Sequence, residues 1–192
     1  MEKDRLMAFS DGVIAIIITI MVLELRPPHE PTLAALAGLA PTFLSYVLSF
    51  VYIAIYWNNH HHMLYATGRV NGAILWANMA LLFCLSLVPF STAWLGETAG
   101  ATIPTAIYGA SLVLPALAYF VLQTRIVRAD GPDSVLARAI GWDWKGKVSP
   151  LLYAAGIGLA FVNPLFSWLL YVAVAVIWLV PDKRIERVLA AN

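Results

Sequence analysis

The chain has few charged residues. Asp, Glu, Lys and Arg make up 12% of its 192 residues, whereas about 25% is usual in soluble domains. Hydrophobic residues make up 61%, and the mean hydropathy is +0.78. This composition excludes an ordinary soluble domain and predicts an all-α polytopic protein embedded in a lipid bilayer.

The sequence also has a single cysteine and almost no net charge. Cys84 is the only cysteine, so the sequence can form neither an intrachain disulfide nor a cysteine metal site. The net charge is +1, and no cluster of Lys and Arg provides the positive surface that nucleic acid requires. The sequence therefore predicts no nucleic-acid partner.

Motifs of catalysis and of cofactor binding are missing as well. The sequence has no GxSxG, no HExxH and no Gly-rich phosphate loop. His60, His61 and His62 are consecutive, and three consecutive side chains on a helix point in three directions, so they cannot form one metal site. We therefore expect no enzyme activity, no cofactor and no resident metal ion.

Six apolar windows are candidates for helices that cross about 30 Å of hydrocarbon. Proline, glycine or charged residues separate them. Residues 32–39 form a short apolar lead-in to the second window, and Pro41 is expected to kink or interrupt the helix there. We predict one domain over residues 1–192, with transmembrane helices at approximately 6–25, 41–64, 70–94, 101–124, 148–162 and 164–180.

The positions of Lys and Arg predict the orientation of these six helices. Eleven of the twelve Lys and Arg residues fall on one side of the membrane, and only Arg26 falls on the other. Three of the eleven, Lys183, Arg184 and Arg187, follow the sixth helix. Because cytoplasmic loops are enriched in Lys and Arg, we predict that both termini are cytoplasmic.

Asp11 is the clearest ionisable residue at membrane depth, where an unpaired charge costs at least a few kcal/mol. At 100° per residue, Asp11 lies about 140° around the helix from Ile16, whereas Ile20 and Leu23 lie within about 40° of Ile16. One face of the first helix is therefore aliphatic, and another carries the carboxylate. Asp11 either pairs with Arg5 or a neighbouring helix in a structural role, or takes part in the passage of ions or protons.

A second polar cluster, Tyr56 to Met63, ends the second predicted helix and lies level with Asp11 in this topology. It is either an aromatic belt with histidines solvated at the lipid headgroups, or the source of one histidine that reaches Asp11 and Ser10. Asn78 in the third helix is positioned to join such a group through an interhelical hydrogen bond.

Three motifs lie in the first half of the chain, one in each of the first three predicted helices. In the first helix, Arg5 precedes Phe9, Ser10, Asp11 and Gly12, and an aliphatic run with Thr19 then ends on Glu24. The second helix ends with Trp57-x-x-His60-His61. The third helix contains Asn78, Leu81, Leu82, Phe83, Ser86, Val88, Pro89, Phe90, Ser91 and Thr92. In order and spacing these motifs resemble the signature of the transmembrane protein 175 family, which comprises lysosomal potassium channels and their bacterial relatives.

The resemblance implies the architecture of a bacterial member of that family. Each subunit would have six helices and cytoplasmic termini, and four copies would surround a central pore in the bacterial inner membrane. The first helix would line this pore, without a re-entrant selectivity loop. The implied function is a potassium-preferring cation channel, with K⁺ as the conducted ion and the lipid bilayer and three further copies of the chain as partners.

The resemblance also implies roles for individual residues. Ile16, Ile20 and Leu23 would form a hydrophobic constriction, and Thr19 would form the polar layer beside them. No carbonyl ladder such as TVGYG occurs, so we expect only modest discrimination of K⁺ from Na⁺. A supporting polar network, which does not contact the ion, would comprise Arg5, Ser10, Asp11, Trp57, His60 and, from the third helix, Asn78.

Two other functions remain open at this point. One is a proton-coupled or secondary transporter in which Asp11 and His60 titrate, although the inverted repeats typical of such proteins are not evident. The other is a structural membrane protein without any passage, in which the aliphatic face of the first helix would be buried against its own subunit.

Overall fold

The structure, a computed structural model, describes residues 3–140 and 143–179. Every regular element in these two ranges is an α-helix, which confirms the predicted all-α class. Lys183, Arg184 and Arg187 lie outside the described residues. The helices are α1 (Lys3–Leu23), α2 (Leu33–Gly38), α3 (Ala40–Tyr65), α4 (Gly72–Ser86), α5 (Val88–Glu97), α6 (Thr102–Asp130), α7 (Val135–Ile140), α8 (Trp144–Ala160) and α9 (Pro164–Leu179).

Several of these helices are long and apolar enough to cross a membrane. In the described ranges, α1, α3, the end-to-end pair of α4 and α5, and α6 meet both criteria, with 21, 26, 26 and 29 residues. The last helix, α9, is apolar but has only 16 residues. The structure therefore has four candidate spans by length and composition, and the count of six stays a prediction.

The third predicted helix, 70–94, is divided in the structure. Leu87 both ends α4 and precedes α5, and Pro89 occupies the first turn of α5. Because proline has no backbone N–H, it cannot donate to the carbonyl four residues earlier, and an interruption at this point is the expected consequence. The sequence prediction of one continuous helix overlooked this effect of Pro89.

Pro41 acts as predicted at the start of α3. The lead-in folds as a separate six-residue helix, α2, whose first turn is capped by the Thr32 hydroxyl oxygen accepting from the Ala35 N–H at 3.1 Å. After Leu39, α3 begins at Ala40, so Pro41 lies in its first turn, where the missing N–H has no partner to lose.

Two buried clusters hold the helices together. One packs α1 against α3, α4 and α6, with Ile14, Ile53 and Leu81 among its fully buried residues. The other packs α3, α6, α8 and α9 around tyrosine rings, including Tyr52 and Tyr171. The first of these clusters decides which face of α1 is buried.

Glycines allow α6 and α8 to approach α9 closely. A Cβ atom on Gly109 would meet the Tyr171 hydroxyl and would lie 2.8 Å from Cγ1 of Ile157. A Cβ on Gly156 would meet the same Tyr171 ring. Tyr171 thus occupies the space that these two glycines leave open.

Candidate functional site

The first helix buries one face and leaves another uncovered. Its buried residues recur every three or four positions, which places them on one side of the helix. They pack into the cluster with α3, α4 and α6. They are Leu6, Ser10, Ile14, Ile17 and Met21.

The uncovered face contains the residues that the sequence assigned to a constriction. Ile16, Ile20 and Leu23 are 58%, 44% and 75% exposed, whereas Ile14 is 1% exposed. Thr19 is also exposed, and its hydroxyl donates to the Ile16 carbonyl at 2.9 Å. That bond uses the only hydroxyl hydrogen, and both lone pairs of the oxygen remain available to accept. The part of the chain that the structure describes thus leaves this face largely uncovered.

Ser10, Asn78 and His60 form a buried chain of hydrogen bonds across three helices. The Asn78 amide nitrogen donates to the Ser10 hydroxyl oxygen at 2.9 Å, and the Asn78 amide oxygen lies 2.7 Å from Nε2 of His60. The Ser10 hydroxyl itself donates to the Leu6 carbonyl at 2.8 Å. All three side chains are almost completely buried. They fix α1 to α3 and α4 inside the apolar core.

Asp11 has a different partner. The indole Nε1 of Trp57 donates to Oδ1 of Asp11 at 2.9 Å at the exposed edge of the contact between α1 and α3. Asp11 and His60 are therefore not hydrogen-bonded to each other, and the histidine of the buried chain joins Ser10 only through Asn78. Arg5 is exposed and belongs to none of these hydrogen bonds.

Lys3 provides an anchor that the sequence analysis overlooked. Its Nζ donates to the carbonyl oxygens of Tyr65 and Thr67, at 3.0 and 3.3 Å, and lies 5.4 Å from the centroid of the Tyr65 ring. These carbonyls are at the C-terminal end of α3, where the helix dipole favours a cation. The position of Lys3, seven residues before Ser10, was the available signal, but only packing shows which helix end it meets.

A second buried polar group links α3, α5 and α6. The Ser49 hydroxyl lies 2.7 Å from the Thr92 hydroxyl and 2.9 Å from the Tyr108 hydroxyl. A further pair, Ser91 and Ser111, joins α5 to α6 at 2.7 Å. These bonds hold α5 in place after the break at Leu87, and none of these residues except Ser91 and Thr92 belonged to a sequence motif.

A wide groove lies beside the C-terminal end of α1, between this helix and α5. Its volume is about 580 Å³, and its walls include Ile20, Phe90 and Trp94. Two carboxylates, Glu24 and Glu97, also line it. The groove thus lies next to the uncovered aliphatic face and carries negative charge. Among the described residues, no group of three or more His, Cys, Asp or Glu side chains is arranged to hold a metal ion.

These features define an integral membrane protein built as an α-helical bundle, in which buried polar contacts fix one side of the first helix and its aliphatic side remains uncovered. A profile of the family described as endosomal/lysosomal potassium channel TMEM175 matches residues 5–89. This range contains most of α1, the polar chain and the break between α4 and α5.

Individual proteins resemble the chain over a greater length. Potassium channel HX13_20290 of Chryseobacterium sp. (strain P1-3) is 50% identical over 192 residues and covers all of both chains. Potassium channel B446_29190 of Streptomyces collinus is 33% identical over 175 residues, which is 84% of each chain.

A solved structure has the same fold. The crystal structure of a lysosomal potassium-selective channel TMEM175 homolog from Chamaesiphon minutus superposes with a TM-score of 0.81 and is 28% identical. The match covers 95% of this chain and 98% of that one. The chain belongs to the TMEM175 family, which confirms the resemblance seen in the sequence. The family consists of ion channels and not of enzymes, as predicted.

Proposed function

We propose that this chain is a potassium-preferring cation channel that conducts K⁺ passively across the membrane. Its membership of a family described as potassium channels supports this function, and so do two long matches to proteins named potassium channels. The proposed subunit has six transmembrane helices, two of them the short helices α8 and α9. Four subunits surround a central pore lined by α1.

The main support for a pore lined by α1 is the uncovered face of this helix. Leu23 and Ile16 are 75% and 58% exposed on a helix whose opposite side is buried. A structural protein without a passage would bury this face against its own subunit, and the structure does not. Aliphatic side chains at this depth are stable against lipid or against the same face of other copies, and a ring of such faces encloses a narrow path.

The chemistry of this face accounts for gating and for modest selectivity. A ring of Ile16 side chains forms a neck that expels water, and ions are barred until the neck widens. The Thr19 hydroxyl oxygen offers a partial negative charge beside it, since its hydrogen is donated to the Ile16 carbonyl. The polar group of Ser10, Asp11, Trp57, His60 and Asn78 positions α1 and does not contact the ion.

The proposed location is the bacterial inner membrane, with both termini in the cytoplasm. The distribution of Lys and Arg supports this orientation, and the two long matches come from bacteria. In this orientation the groove with Glu24 and Glu97 faces outward and provides negative charge that attracts cations to the pore entrance.

Reversal potentials of the reconstituted protein in mixed K⁺ and Na⁺ test the function. For the unsubstituted protein we expect a reversal potential displaced from zero towards the equilibrium potential of K⁺. For Ile16→Ala we expect a change in conductance or in selectivity. The matched control is Val22→Ala, because Val22 is also exposed but lies about 120° around the helix from Ile16. Thr19→Val should reduce the preference for K⁺. Equal effects at positions 16 and 22 would refute the assignment of the pore face.

Cysteine cross-linking tests the assembly independently of conduction. In a Cys84-free background, a single cysteine at position 16 should form disulfides between subunits, and a cysteine at position 22 should form far fewer. A central pore lined by α1 is ruled out if position 16 gives no cross-links in membranes where the protein is folded.

The transporter alternative would require Asp11 and His60 to titrate together. In the structure, these residues have separate partners, Trp57 and Asn78, so no hydrogen bond couples them. Stoichiometric substrate flux that Asp11→Asn abolishes, in the absence of unitary currents, would favour the transporter over the channel.

A further inference from the structure

A cavity of about 60 Å³ lies between α3, α6, α9 and the start of α8. None of the described residues of α1 lines it, so it is separate from the proposed pore. One water occupies roughly 10–15 Å³ on this measure, so the cavity holds about four to six non-hydrogen atoms. It is large enough for the head of a small organic molecule.

Six of the thirteen residues that line this cavity are aromatic. They come from all four helices around it, and two of them, Tyr56 and Tyr119, meet edge to face with ring centroids 6.2 Å apart. The faces of such rings carry negative potential and attract a cation, most strongly one that is weakly hydrated. The rings are those of Tyr52, Tyr56, Tyr119, Phe120, Tyr153 and Trp178.

The start of α8 adds two oxygen acceptors to this wall. Asp143 caps the helix, with its Oδ1 accepting from the Gly146 N–H at 3.2 Å. Gly146 also lines the cavity. Its carbonyl lacks the usual helical donor, because the residue four positions later is Pro150, which has no N–H. A carboxylate and a carbonyl therefore lie on the same wall as the rings.

Two further polar side chains line the cavity. Neither the Tyr56 hydroxyl nor the Gln123 amide has a hydrogen-bond partner in the described part of the chain, and both residues line the cavity. No buried side-chain nitrogen or oxygen of the described residues lacks a partner. These two groups are consequently accessible to an occupant, and a purely apolar occupant would leave them unbonded.

One basic side chain lies near this wall. Lys145 is 5.8 Å from the centroid of the Trp178 ring, and its Nζ donates to the Ile177 carbonyl at the end of α9 at 3.0 Å. Its charge is directed at a helix C-terminus, which favours a cation. Its positive charge weakens the binding of a cation in the cavity.

We propose that this cavity binds the ammonium head of a small organic amine or of its methylated derivatives. The rings surround the head, and Asp143 and Gly146 supply the negative charge and the carbonyl that an ammonium group prefers over a neutral body of the same shape. This binding goes beyond ion conduction and does not depend on it.

Calorimetric titration of the detergent-solubilised chain with tetramethylammonium chloride tests the proposal. tert-Butanol, a neutral molecule of similar size, is the control ligand. We expect saturable binding of tetramethylammonium and none of tert-butanol at the same concentrations. The proposal is overturned if tetramethylammonium does not bind, or if both ligands bind equally.

Four variants locate the binding. Asp143→Asn should weaken it about tenfold, because it removes the charge while asparagine still caps α8. Ala116→Leu should abolish binding by filling the cavity, whereas Ile16→Ala should leave it unchanged. If Ala116→Leu leaves the affinity for tetramethylammonium unchanged and Ile16→Ala alters it, the ammonium binds in the pore and the proposal is overturned. Lys145→Gln should strengthen binding, since it removes the nearby positive charge.

The same titration distinguishes a lipid headgroup from a free amine. Nanodiscs of phosphatidylglycerol contain no ammonium headgroup, whereas nanodiscs that also contain phosphatidylethanolamine do. If the natural occupant is the lipid headgroup, phosphatidylethanolamine should lower the apparent affinity for tetramethylammonium in the wild-type chain. An equal affinity in both nanodiscs identifies the site as one for free amines.

Discussion

Replacement of Asn78 by alanine should destabilise the subunit without changing which ion it conducts. Asn78 donates to Ser10 at 2.9 Å and lies 2.7 Å from Nε2 of His60, and all three side chains are buried. The substitution breaks two interhelical contacts at once. It leaves the buried imidazole of His60 without its partner.

The magnitude follows from these two contacts. Interhelical hydrogen bonds in membrane proteins contribute about 0.6 kcal/mol on average and up to about 1.7 kcal/mol. A buried polar group left unsatisfied costs about 1–3 kcal/mol. We therefore expect Asn78→Ala to lower the free energy of unfolding by about 1–3 kcal/mol, or roughly fivefold to more than a hundredfold in the equilibrium constant.

Equilibrium unfolding in mixed micelles, followed by circular dichroism at one fixed protein concentration, measures this change. A double-mutant cycle with Ser10→Ala isolates one contact, and a cycle with His60→Ala isolates the other. Each should give a coupling energy of about 0.6–1.7 kcal/mol. Met79→Ala, at an exposed neighbouring position of α4, is the control and should have little effect.

Two results would refute this reasoning. Coupling energies near zero in both cycles would mean that the buried chain of hydrogen bonds does not hold α1 in place. A shifted reversal potential in Asn78→Ala, with the free energy of unfolding unchanged, would mean that Asn78 acts on the ion and not on the packing of α1.

Two further predictions concern an exposed contact and a close approach of helices. Asp11→Ala should reduce folding or subunit assembly more than selectivity, because the lost Trp57 hydrogen bond contributes about 0.5–1.5 kcal/mol. The fraction of the proposed tetramer and the reversal potential check this, and altered selectivity with intact assembly would contradict it. Gly109→Ala should cost about 1–3 kcal/mol because its Cβ meets Tyr171, whereas Gly158→Ala, with no atom within 4 Å of its Cβ, should cost nothing. Equal melting temperatures of the two glycine variants would disprove that explanation.

The two faces of α1 follow from periodicity alone. At 100° per residue, Ile16, Ile20 and Leu23 share a face, and the structure leaves all three exposed. The sequence predicts which residues of α1 are exposed because this helix packs against its neighbours along a single side. The angular position of a residue around the helix then decides whether its side chain is buried or exposed.

The partners of the polar residues are less predictable. Three neighbouring histidines differ by 100° each around α3, so the rotation and tilt of that helix decide which of them meets α4. The structure places His60 there and gives the Asp11 carboxylate to Trp57. Packing sets this rotation, and no local pattern in the sequence records it.

Prolines at helix starts had unequal effects on the prediction. The interruption before α3 was expected from Pro41, whereas the break before α5 at Pro89 was not. Pro89 lies within a long apolar run. Hydrophobicity alone predicts an apolar helix there and does not detect the interruption that the missing N–H of proline causes. The Ser49 and Ser111 hydroxyls, which bond to Thr92 and Ser91 of α5, lie 43 and 20 residues from these partners in the sequence.

The anchors of the first helix have a consequence for biosynthesis. Among the described residues, the hydrogen bonds that tie α1 to the bundle join residues far apart in the chain, with separations of 46 residues for Asp11 and Trp57, 62 for Lys3 and Tyr65, and 68 for Ser10 and Asn78. α1 is thus synthesised before any of these partners. Until Trp57 and Asn78 have emerged, Asp11 and Ser10 lack them and must be accommodated by the insertion machinery, and ribosome-bound nascent chains that stop before Asn78 should keep α1 accessible to polar reagents.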